Sequence, residues 1–169
     1  MYKGEDLMSR ILIAYATKTG TAQKCAGMLA DLLGGVQLAD LSAEQPDPAD
    51  YDLVIVGGGV RMGLLHKVAR EYLKRWESAL AGQVAAYFVC NAFVNQTEEV
   101  LRQNIPPVLL EKAVCADTFG GELEPERLKG IDRLIVRMVT SSGGAKEAVH
   151  IRRERIDAFA AAVRKALPK

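Results

Sequence analysis

Two hydrophobic patterns alternate along this chain. Short, nearly continuous apolar runs lie at 11–16, 53–56 and 84–90, with weaker ones at 36–39 and 114–119. Runs without a polar alternation predict strands covered on both faces, as in a parallel sheet. Between them lie stripes of helical period. Cys25, Leu29, Leu32 and Leu33 form the first, closed by Gly34 and Gly35. Val68, Tyr72, Leu73 and Trp76 form the second, and Val100, Leu101 and Ile105 the third, stopped by Pro106 and Pro107. Leu128, Ile131, Leu134, Ile135 and Met138 form a fourth, and Ile156, Phe159, Ala160, Val163 and Leu167 the last. Strand and helix in alternation predict an α/β fold with right-handed crossovers. The expected architecture is a three-layer sandwich around a five-stranded parallel sheet in the order 2-1-3-4-5. One domain over 10–167 is expected, after a frayed segment at 1–9, with 42–50 a loop before the third strand.

Composition narrows the function. The 169 residues are 49% hydrophobic and 25% charged, enough to build a core. A net charge of +1 argues against a dedicated nucleic-acid binder. No apolar run reaches membrane-spanning length and no leader pattern opens the chain, so a cytoplasmic protein is expected. Cys25, Cys90 and Cys115 are widely separated, and without metal-ligand spacing they read as reduced thiols rather than a metal site.

In sheets of this kind ligands bind at the carboxyl ends of the strands, beside the topological switch point. Three segments fall there. Thr17-Lys18-Thr19-Gly20-Thr21 links the first strand to the first helix. Hydroxyls and a glycine at a helix N-terminus suit a phosphate, because the first amides lack partners and the dipole is positive. Simple N-capping would need only one of those residues. Neither a GxxxxGK[ST] loop nor a GxGxxG turn is present, which disfavours nucleotide hydrolysis and a dinucleotide site. After the third strand, Gly57, Gly58 and Gly59 lead into Val60, Arg61 and Met62. Three glycines at a strand end allow positive φ and close contact with a flat ligand. Asn91-Ala92-Phe93-Val94-Asn95 follows the fourth predicted strand, and Phe93 is placed either to stack on a ring or to pack inside. The two histidines, His66 and His150, have no nucleophile or carboxylate partner in sequence, and His66 lies nearer the expected site.

The first loop resembles the phosphate loop of flavodoxins, [TS]-x-T-G-x-T, with Ala22 where the last Thr of that pattern falls. Within that superfamily the chain is most similar to the short bacterial menaquinone-dependent protoporphyrinogen oxidases. Their second loop resembles Val60-Arg61-Met62-Gly63 and is also followed by a His, here His66 after the extra Leu64 and Leu65. The likeness continues through Phe119-Gly120-Gly121 and through 137–144, a helix ending in Gly143-Gly144. It departs at 123–133, which holds no aromatic residue where those oxidases carry an aromatic, basic cluster.

The resemblance implies a noncovalent FMN. Its phosphate would sit on Thr17, Lys18, Thr19, Gly20 and Thr21. Its ring would lie between Gly58, Gly59, Val60, Arg61 and Met62 on one side and Asn91, Ala92, Phe93 and Asn95 on the other. It implies an enzyme that dehydrogenates a small molecule with a quinone acceptor in haem biosynthesis, with Arg61 and His66 as candidate catalytic residues. Two other readings stay open: a flavodoxin-type carrier serving a redox partner protein, and a binding module without FMN. From Arg127 to Arg155, eight Lys and Arg face three Asp and Glu. Such a surface suits an anionic substrate or peripheral contact with the inner face of an anionic membrane, or is a solvated helix face.

Overall fold

The computed structural model describes residues 9–121 and 150–167. Its parallel strands are β1 (Ile11–Ala16), β2 (Gln37–Asp40), β3 (Leu53–Arg61), β5 (Val84–Cys90) and β6 (Ala116–Thr118). They lie in the order β2-β1-β3-β5-β6, while β4 (Leu64–Leu65) pairs antiparallel with β3 alone. Apart from β4, this is the sheet the sequence predicts. The helices are α1 (Thr21–Leu33), α2 (Lys67–Arg75), α3 (Glu77–Ala81), α4 (Thr97–Asn104), α5 (Pro107–Lys112) and α6 (Arg153–Ala166).

The burial of β1 shows why its apolar run is continuous. Ile11, Ile13 and Tyr15 point into a cluster with Ala22, Cys25, Leu29, Ile156, Phe159 and Val163 from α1 and α6. Leu12, Ala14 and Ala16 point into the opposite cluster, with Ala69, Tyr72 and Leu73 of α2 and Val100 and Leu101 of α4. A strand with a core on each face has no position for a polar residue. The first cluster centres on Phe88, stacked on Phe119 at 4.7 Å, with Phe159 edge-on to both.

Three expectations need correction. The run at 53–56 is only the first part of a strand that continues through the glycines to Arg61. Leu32 leaves its stripe and is 38% exposed, lining a surface groove with Arg153 and Ile156 of α6. The last predicted strand shortens to Ala116–Thr118. The stripe at 128–138 and the motifs at 123–133 and 137–144 lie outside the described residues, as does most of the 1–9 segment.

Candidate functional site

Parallel pairing sets Ala16, the last residue of β1, against Gly58 of β3, and Gly59 against Cys90 of β5. The register therefore brings together the carboxyl ends of three adjacent central strands. The three predicted loops all leave from there.

The β1–α1 turn is built from its own residues. The Thr17 hydroxyl oxygen accepts the N–H of Gly20 at 2.9 Å. Gly20 stands at φ 95°, the N-cap of α1, and supplies no side-chain cap. The carbonyl of Gly20 accepts the N–H of Lys24 at 3.0 Å, so the helix is in register from its first turn. An α-helix leaves its first amides without intrahelical partners, and here the N-cap has no side chain to receive them. Among the described residues no backbone carbonyl takes them, and they lie at the positive end of the dipole, where an oxyanion is favoured. The Thr17 hydroxyl accepts one bond and retains its proton for a second oxygen. Thr17, Thr19 and Thr21 are half-buried, Lys18 is exposed, and Ala22 is wholly buried in the core.

The glycines after Val56 work differently from the expectation. None of Gly57, Gly58 and Gly59 has positive φ; all three are in the extended strand. A Cβ on Gly57 would meet the Phe88 ring at 2.3 Å, and one on Gly58 would meet the Ala16 carbonyl at 3.0 Å. At Gly59 no atom of the described residues lies within 4 Å of that position. The left-handed residues come later: Met62 at φ 53° and Gly63 at φ 78° form a two-residue turn into β4. Two positive φ angles are what a tight type I′ hairpin requires, because its twist matches the strands. Val60 pairs with Leu65 and Arg61 with Leu64, so Val60, Arg61 and Met62 belong to a hairpin rather than a loop. At its tip Met62 is 68% exposed and Leu64 53%.

His66 follows. Its Nδ1 accepts the N–H of Val68 at 3.2 Å and caps α2. Its backbone N–H donates to the Gly59 carbonyl at 2.9 Å. This histidine therefore has a structural task that its sequence neighbours do not reveal.

In the third segment, the Asn91 side chain is buried and engaged internally. It donates to the Phe93 carbonyl at 2.7 Å and accepts the Thr118 hydroxyl. That hydroxyl also accepts the N–H of Gly120 at 3.0 Å. A Cβ on Gly121 would touch the backbone of Ala92 at 3.2 Å, so the glycine lets the two segments meet. Ala92 and Phe93 are half-buried and Asn95 is exposed. What Asn91 offers a ligand is thus its backbone and the loop it shapes.

Cys25 and Cys90 are buried and Cys115 is half-buried. Cys25 and Cys90, distant in sequence, are neighbours whose thiols hydrogen-bond, and this contact with burial pushes the Cys90 thiol well up. Burial and Asp117 push the Cys115 thiol up to about 11. Among the described residues no His, Cys, Asp and Glu cluster could hold a metal. Of the basic residues in the C-terminal third, Arg155 is tied to Asp117 at 2.6 Å.

Sequence reasoning missed Asn104, Thr118 and Arg70. Asn104 had a visible signal: it falls four residues after Val100, on the apolar stripe of α4. A polar residue at a core position predicts a hydrogen-bonding task.

A doubly wound sheet with a helix N-terminus at its switch point defines a class, the flavodoxin-like α/β folds. This chain belongs to the flavodoxin domain family, whose model matches residues 12–149. Among characterised proteins it is similar to the protoporphyrinogen IX dehydrogenase [quinone] of Escherichia coli. The two are 25% identical, over 89% of this chain and 92% of that one. The flavodoxin of Fusobacterium nucleatum bound to flavin mononucleotide superimposes with TM-score 0.57 at 14% identity, over 95% of this chain and 100% of that one. Oxidised Flavodoxin 2 from Bacillus cereus gives TM-score 0.54 at 22% identity, over 93% and 99%. Among the described residues no helix is long and apolar enough to cross a membrane.

Proposed function

We propose that this chain binds one FMN and uses it to dehydrogenate a small anionic substrate of the protoporphyrinogen class, passing electrons to a quinone. The observation that carries the cofactor reading is the β1–α1 turn. It joins an uncapped helix N-terminus to the Thr17 hydroxyl, the combination that neutralises a phosphate. Among the described residues nothing crowds a Cβ at Gly59, which favours a flat ring against that strand end. Thr17, Lys18, Thr19, Gly20 and Thr21 hold the phosphate. Gly58, Gly59, Val60, Arg61 and Met62 face one edge of the ring, and Asn91, Ala92, Phe93 and Asn95 the other. Arg61 favours negative charge on the reduced ring through charge-assisted hydrogen bonding. The bound flavin supplies two-electron chemistry toward the substrate and electron transfer to the acceptor.

Full-length similarity to the Escherichia coli dehydrogenase favours the enzyme over the carrier. A net charge of +1 also departs from the acidic surface with which carriers steer to basic partners. Exposed cations such as Arg153 suit substrate carboxylates and anionic lipid around a quinone.

The test begins with the visible spectrum of protein incubated with excess FMN and desalted. Retained flavin absorption is expected, followed by porphyrin fluorescence when protoporphyrinogen and a menaquinone analogue are supplied. Retained flavin without porphyrin formation, but with one-electron exchange to a redox protein, turns the reading to a carrier. A colourless protein that does not quench FMN fluorescence overturns it in favour of a binding module.

A further inference from the structure

The β3–β4 hairpin presents Arg61 and Met62 at the site, yet two strands joined by a two-residue turn are marginal alone. Its stiffness must come from elsewhere. Leu65, the last residue of β4, is held on three sides. Its side chain is buried to 2% exposure among the α2-side core residues. Its carbonyl accepts the Arg70 Nε–H at 2.9 Å. Its N–H donates to the Asn104 side-chain oxygen at 2.9 Å. The Asn104 Nδ2 donates to the Gly63 carbonyl and to the Val100 carbonyl, both at 2.8 Å.

One buried amide thus uses both donors and its oxygen, and spans the hairpin from turn to base. Asn104 is only 8% exposed, and its loss would leave the buried N–H of Leu65 without this acceptor. The turn it clasps is also conformationally costly. Met62 holds a positive φ that Asn or Gly adopts more easily, and its exposed side chain recovers little by burial. A strained, exposed residue persists when its surroundings over-determine it, and such residues cluster at ligand sites.

We propose that Asn104 is a positioning residue for the flavin ring: by clasping Gly63 and Leu65 to α4 it fixes where Arg61 and Met62 meet the cofactor. It acts through the hairpin and touches neither flavin nor substrate. The inference rests on the FMN reading above.

Two variants test it. Asn104→Ala removes the whole clasp. Asn104→Asp keeps the shape and the acceptor for Leu65 but removes both donors. Leu109→Ala, a buried truncation in α5, serves as the destabilised control. Amide exchange is measured on protein without FMN, and the FMN dissociation constant, flavin spectrum and midpoint potential on protein with it. Asn104→Ala is expected to lose protection at Leu65, weaken FMN roughly tenfold and shift spectrum and potential. Leu109→Ala is expected to lower the melting temperature and leave spectrum and potential alone. If Asn104→Ala does not fold, Asn104→Asp carries the same expectations. Wild-type affinity, spectrum and potential in whichever variant folds overturn the inference while leaving the FMN reading standing. A wild-type protein that takes up no FMN overturns both.

Discussion

At the residue scale, His66 has two competing assignments. A histidine just after the β3–β4 hairpin invites a role in proton transfer if the proposed flavin binds there, but its Nδ1 is engaged by the Val68 N–H and its backbone by Gly59. Asparagine reproduces a neutral acceptor at an N-cap and cannot serve as acid or base at neutral pH. His66→Asn is therefore expected to keep the wild-type melting temperature, with turnover within about twofold of wild type. His66→Ala is expected to lose about 1 kcal/mol of stability. Thermal denaturation with steady-state assay of both variants decides. A fall of about a hundredfold in turnover in both variants, with the Asn variant as stable as wild type, would give His66 a chemical role.

At the element scale, β3 was the least legible part of the chain. Its apolar run ends at Val56, and glycines ordinarily mark the end of a strand. Two long-range facts continue it: the Phe88 ring lies over Gly57, and β4 returns to pair with Val60 and Arg61. Neither is visible from local pattern, because both depend on what a neighbouring strand places there. The turn chemistry was equally hidden, since Met62 is not a residue that announces a type I′ hairpin. By contrast β1, β5 and the α1 stop at Gly34 were legible, because burial on two faces and a glycine after a helix leave local marks. The β1–α1 loop was legible for the same reason, while Asn104 and Thr118 act on segments far from them in sequence. The glycines can be told apart experimentally. Gly57→Ala is expected to cost roughly 1–3 kcal/mol by forcing the Phe88 ring out of its stack with Phe119. Gly59→Ala meets no atom of the described residues and is expected to keep the melting temperature while weakening FMN. Equal melting temperatures for the two variants would remove Phe88 as the reason for Gly57.

At the scale of the whole molecule, the sheet buries groups that must stay neutral, and this sets how stability responds to alkali. The Cys90 thiol is held above its ordinary value of 9.0, first by its hydrogen bond with Cys25 and then by burial. Burial also raises the Tyr72 and Tyr87 phenols above 10.0, and Cys115 reaches about 11. In the unfolded chain these groups release protons near their ordinary values, whereas the folded chain keeps them. Between those values and the raised ones the folded state binds more protons, so stability must fall as pH rises. The contribution is intact below about pH 9 and is lost progressively above it, at up to about 1.4 kcal/mol per pH unit for each such proton. Urea unfolding at pH 8 and pH 10.5 should show this decline in wild type. Cys90→Ala, less stable at both pH values because a buried atom is lost, should show a shallower one, by up to one proton. Parallel declines in the two proteins would mean that Cys90 ionises as readily folded as unfolded. The Cys25–Cys90 contact would then not be a constraint between α1 and β5.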